Sequence, residues 1–233
     1  MAKHSLQRFS SPSRSHSALV HLGGIVAFTV LFRWVHNDDN PKALQFGSHY
    51  QYLTMIGLAL AYLSMIFGFL ADVSLVPAFF DVKNIISVCS APLEVIITLL
   101  FWGIYMIDPA LLFPPDRQLP FLINFGLHAL PAIMLTLDLL IFSPPWTIKA
   151  YGALGLSLVL AFAYWGWVEV CFRYNDEYPY PLFGLLNTQQ RVLLFTFSAV
   201  LMTGSTMALK WLYGKVNGIE KFEKEAARPA KLD

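Results

Sequence analysis

Six stretches of this chain, each close to twenty residues long and predominantly apolar, leave it few ways to fold. A helix crossing the hydrocarbon core of a bilayer needs about 20 such residues. Lipid offers the backbone no hydrogen-bond partners, so segments of this kind fold as helices that satisfy their own amides and carbonyls. The stretches run from Ala18 to Val35, Tyr50 to Ala71, Asn84 to Ile107, Leu119 to Phe142, Ile148 to Cys171 and Gln190 to Tyr213. Between them lie Asn37-Asp38-Asp39-Asn40-Pro41, Pro114-Pro115-Asp116, Ser143-Pro144-Pro145 and Asn175-Asp176-Glu177. Proline and short polar side chains end helices there, and gaps this short make sequential helices antiparallel. The expected fold is an all-α membrane protein, a bundle of six transmembrane helices over residues 18–213. Residues 1–17 and 214–233 flank it as cytosolic segments.

Charge is scarce in the way this fold requires. Only 13% of residues are charged, about half the usual share for a soluble domain. A net charge of +1 gives no reason to expect a nucleic-acid partner. The cysteines, Cys89 and Cys171, fall in or beside apolar segments and suggest no disulfide framework. No cofactor and no metal is expected, because no His or Cys pair falls at ligand spacing.

Orientation follows from Lys and Arg. With six spans, one side holds Lys3, Arg8, Arg14, Lys83, Lys149, Lys210, Lys215, Lys221, Lys224, Arg228 and Lys231, eleven in all. The other holds five: Arg33, Lys42, Arg117, Arg173 and Arg191. Eleven against five places both termini in the cytosol. The first span reads as an uncleaved signal anchor, and the endoplasmic reticulum is the default membrane for a polytopic chain of this kind.

A polar group inside a bilayer is costly, so each needs an explanation in packing or function. Thr54, Gly57, Ala61, Ser64 and Gly68 form a small-residue face on the second span. Such a face lets another helix approach closely, and spacing alone favours packing over chemistry there. Ser87, Ser90, Glu94 and Thr98 form a polar stripe on the third span, with Pro92 beside Glu94. On a straight fourth helix, Asn124, His128 and Asp138 lie within about 80° of one another. His128 is the one histidine deep in any span, and Pro131 is expected to kink the helix beside it. Asp138 looks too far along that helix to reach His128. Structural and functional roles for His128 stand evenly balanced at this point.

Several stretches in fixed order carry a resemblance: Tyr50-Gln51-Tyr52-Leu53-Thr54; Ala91-Pro92-Leu93 followed by Leu100-Phe101-Trp102-Gly103-Ile104-Tyr105 and Asp108; Pro120 and Asn124 leading to His128 and then Asp138; and Glu177-Tyr178-Pro179-Tyr180-Pro181 before Arg191. Together they span nearly the whole chain. The sequence resembles the androgen-induced and androgen-dependent TFPI-regulating family of six-span membrane proteins. The resemblance implies a threonine hydrolase that cleaves fatty acid esters of hydroxy fatty acids, with such lipids as its partners. It puts the nucleophile on Thr54 and the histidine base on His128. Ala129 follows His128 where the family commonly has a threonine, so no role is carried over to a second hydroxyl.

Counted along straight helices from the outer surface, Thr54 lies about 6 Å and His128 about 14 Å deep. These depths permit the two to meet within direct or single-water reach. Asn124 is the candidate for stabilising the oxyanion or orienting His128. A hydrolase further requires a cavity lined by Phe, Tyr and Leu near the outer half of the bundle. Two other classes remain open, a transporter or lipid-binding scaffold, and a structural partner of a membrane complex that docks through the small-residue face.

Overall fold

The computed structural model describes residues 14–113 and 119–218. The Pro114-Pro115-Asp116 gap, Arg117, and most of both expected cytosolic segments lie outside the described residues. The described residues form a helical bundle: α1 (Arg14–Asn37), α2 (Leu53–Ser74), α3 (Pro77–Ile107), α4 (Phe121–His128), α5 (Leu130–Phe142), α6 (Ala150–Asn175), the short α7 (Pro181–Leu185) and α8 (Thr188–Asn217). Five of these are each long and apolar enough to cross a membrane. The pair α4 and α5, bent by 40° at Ala129, makes a sixth crossing when taken as one span.

Two expected boundaries change. The third span begins at Pro77, seven residues before Asn84. Proline suits a first helical turn, where its missing amide proton would have had no partner. Asp81 and Lys83 therefore ride on the helix, and Lys83 is turned inward with 1% of its surface exposed. The fourth span is two helices instead of one. Pro131 cannot donate to the carbonyl one turn back, and its ring disfavours helical geometry in the residue before it. The chain responds at Ala129, whose ψ of −41° is paired with an extended φ of −140°.

The small face of α2 and the polar stripe of α3 meet. A side chain at Gly57 would strike the Glu94 carboxyl oxygen at 2.6 Å, and one at Gly68 would strike the His21 ring at 2.5 Å. The small residues leave room for the polar ones, which is why both stripes are needed. Around this seam Phe28, Leu58, Met65, Leu135 and Leu139 form a core with essentially no exposure. Outward, Leu19, Val26, Val30, Ile85, Leu99 and Phe197 remain largely exposed, as a lipid-facing surface requires.

At the end bearing the described termini, charges are buried together. His21 bridges Asp72 at 2.7 Å through Nδ1 and Asp138 at 2.9 Å through Nε2. The Lys83 ammonium meets Asp138 at 2.6 Å and donates to the Ser143 hydroxyl at 2.6 Å. Arg14 donates to the Asp72 carbonyl, and the Tyr213 hydroxyl donates to the Ser143 carbonyl at 2.9 Å. Six helices are joined there, α1, α2, α3, α5 and α8 directly and α6 through Lys210, which donates to the Ile148 carbonyl just before it. Asp138 serves this cluster at the far end of the bent span from His128.

Candidate active site at the opposite end of the bundle

The residues between α1 and α2 fold as two single 3-10 turns, Pro41–Leu44 and Ser48–Gln51, and are tied down from α6. The Trp167 indole donates to the Tyr50 carbonyl at 2.8 Å, and the Tyr164 hydroxyl donates to the Gln51 carbonyl at 2.8 Å. Tyr164 also accepts from the Leu53 amide at 3.1 Å and so caps the first turn of α2. Thr54 is the second residue of that turn, 7% exposed.

From the far side of the site comes the segment Glu177 to Pro181, between α6 and α7. Proline on both sides of Tyr180 restricts its backbone, which is extended at φ −114°, ψ 131°. The Lys42 ammonium donates to the Tyr178 carbonyl at 2.8 Å and pairs with Glu177 at 3.2 Å. That ammonium holds the Glu177 carboxyl below its usual range. The Tyr178 ring stacks on Phe172 at 4.1 Å, lies under the Arg191 guanidinium, and hydrogen-bonds Glu169. Arg191 in turn pairs with Glu169 at 3.0 Å. Tyr180, held by these anchors, packs edge-on against Tyr52 and Phe183, and its hydroxyl stands beside Thr54, Tyr164 and the Leu53 backbone.

His128 is the last residue of α4, 5% exposed. Its Nδ1 lies 3.0 Å from the Asn124 carbonyl. A carbonyl can only accept, so the proton is on Nδ1 and the Nε2 lone pair is free to act as a base. Phe101 stacks on the imidazole at 3.4 Å with the planes 5° apart.

Two cavities meet here. One, about 350 Å³, has a largely apolar wall that includes Trp34, Met55 and Leu127, and carries the polar groups of Asp38, Lys42, Gln45, His49, Glu177, His128 and Thr54. The other, about 120 Å³, is apolar, walled by α2, α3, α6 and α8 through residues such as Ile97, Leu100, Leu160, Phe195 and Met202. Thr54, Phe101, Leu112 and Tyr180 line both. Thr54 thus stands on the wall shared by a chamber that carries charged groups and an apolar slot.

The structure brings Thr54 and His128 onto one cavity wall, but the two make no direct hydrogen bond. Asn124 contributes its main-chain carbonyl to His128, while its side chain lines neither cavity and its buried Oδ1 has no partner among the described residues. Sequence reasoning did not find Tyr180. The only available signal was that its motif, Glu177 to Pro181, places an aromatic hydroxyl between two prolines. Among the described residues no group of three or more His, Cys, Asp or Glu could hold a metal ion.

A family model described as FAR-17a/AIG1-like protein matches residues 16–214. A relative from Schizosaccharomyces pombe, named as a UPF0641 membrane protein, is 32% identical over 206 residues, covering 87% of this chain and 92% of that protein. No solved structure matches.

Proposed function

The chain belongs to the FAR-17a/AIG1-like family, and from that membership together with the geometry we propose that it is an intramembrane hydrolase of lipid esters, specifically fatty acid esters of hydroxy fatty acids. The observation that carries the reading is the position of Thr54, on the wall shared by a chamber that holds His128 and the charged Lys42 and Glu177 and by an apolar slot that could take an acyl chain. An ester whose one arm is hydrocarbon and whose other arm ends in a carboxylate fits that division with its carbonyl at Thr54. The bundle would stand with both termini in the cytosol, in an endomembrane such as the endoplasmic reticulum.

A threonine hydroxyl is a weak nucleophile at neutral pH and needs a base. His128 Nε2 takes the Thr54 proton as Oγ bonds to the ester carbon. The same proton then passes to the departing alkoxide, the carbon–oxygen bond breaks, and the hydroxy fatty acid leaves. Water repeats the steps on the acyl-threonine, with His128 again holding the proton, and releases the free fatty acid. The Asn124 carbonyl steadies the imidazole as it becomes positive. Hydrogen bonds of this kind are often long in an empty site and shorten around the substrate. The experiment is to assay detergent-purified protein for release of both acids, with Thr54→Ala and His128→Ala as comparison. A transporter or scaffold would bind such lipids and release neither acid.

A further inference from the structure

We propose that Tyr180 is a third catalytic residue, its hydroxyl donating a hydrogen bond to the oxyanion that forms when Thr54 attacks the ester. This rests on the hydrolase reading and adds the group that reading lacks, since the Asn124 side chain does not reach either cavity.

Four observations converge on Tyr180. Its hydroxyl stands beside the Thr54 side chain, and the two residues share the wall of both cavities. In the tetrahedral intermediate the oxyanion sits on the carbon bonded to Thr54 Oγ, so a donor beside Thr54 on the cavity wall is placed to meet it. The ring lines both cavities, so substrate in either would pass it. A neighbouring phenol, Tyr164, has its single proton committed to the Gln51 carbonyl and is the cap of α2. Finally, Tyr180 is immobilised by the proline on each side and by packing on Tyr52 and Phe183, and preorganised donors stabilise a developing charge most. Burial pushes its phenol up to about 12, so it is a neutral donor throughout the physiological range.

The second donor is the Thr54 amide itself. The Leu53 amide is taken by Tyr164, and the Met55 and Ile56 amides bond to the Tyr52 carbonyl. The Thr54 amide meets no acceptor among the described residues, and the positive end of α2 reinforces it. In the reaction, Thr54 Oγ bonds to carbon, the carbonyl π pair moves to oxygen, and that oxygen is held by Tyr180 O–H and the Thr54 N–H without either proton being transferred. When the C–O bond to the leaving group breaks, the pair returns and the hydrogen bonds relax.

The test is Tyr180→Phe in the full-length, detergent-purified protein, assayed on a fatty acyl ester of a hydroxy fatty acid beside Thr54→Ala. Phenylalanine keeps the packing and removes one hydroxyl. The expected result is a fall in kcat of about 10²–10³-fold, with KM changed less than about threefold. The pH profile of kcat/KM should not move, and an ether analogue lacking the carbonyl should bind as it does to the unsubstituted protein. A kcat within about threefold of the unsubstituted protein, with Thr54→Ala inactive, overturns the role of Tyr180 and leaves the hydrolase standing. Loss of ether binding together with activity overturns it too, since Tyr180 would then be a wall of the site. Full activity in Thr54→Ala overturns the hydrolase reading instead.

Discussion

His128 gives its Nδ1 proton to the main-chain carbonyl of Asn124, 3.0 Å away and one helical turn earlier. The residue that orients the imidazole is therefore a backbone group, supplied by the same short helix that ends at His128. Two consequences separate backbone from side chain. Asn124→Ala keeps the carbonyl and should retain activity within about threefold, whereas a side chain acting as the sole oxyanion donor would cost about 10²–10³ in kcat. Steady-state kinetics on this one variant decides between them.

Pro131→Ala restores an amide donor to the break and should lessen the 40° bend. His128 would then swing relative to Thr54, and misplacement by about 1 Å can cost roughly 10²-fold in rate. The expected outcome is a folded protein with activity reduced at least about tenfold. Unchanged kcat in Pro131→Ala would show that the bend does not position the base.

The cluster of His21, Asp72, Lys83 and Asp138 lies at the other end of the bundle from Thr54. Removing one partner of a buried pair leaves the other charge uncompensated and costs about 3–5 kcal/mol. Lys83→Met should lower the thermal unfolding temperature substantially while sparing kcat per folded molecule. Thermal scans and activity normalised to folded protein check the two halves separately. Equal loss of kcat in folded Lys83→Met would tie this cluster to the chemistry.

Much of the membrane architecture was legible because its cause is local: hydrophobic length, proline, and short polar gaps. The bend beside His128 was legible for the same reason, through Pro131. What the sequence hid is cooperative. Lys83 reads as a loop charge until Asp138 and Ser143, about sixty residues away, are seen to receive it. His21 looks like a boundary residue until both its nitrogens are found on carboxylates from two other helices. Tyr180 was hidden differently. Its motif is visible, but only the fold lays that segment over the first turn of α2.

Both termini are expected on the cytosolic face, since the sequence assigns eleven Lys and Arg to their side against five on the other. Lys83 belongs to the buried cluster and adds nothing to that surface, which leaves ten against five in the sequence. Protease added to the cytosolic side of sealed vesicles should remove tags from either end. Protection of either tag would reverse the orientation and set Thr54 toward the cytosol.

The most direct measurement is covalent labelling with a serine-hydrolase-type fluorophosphonate, read by mass spectrometry of the modified peptide. The account predicts one adduct, on Thr54, absent in Thr54→Ala and strongly slowed in His128→Ala. The double variant should lose little more than either single one, because residues of one catalytic unit are not additive. An adduct on another residue, or a lipid-binding protein that is never labelled and releases no acid, would contradict it.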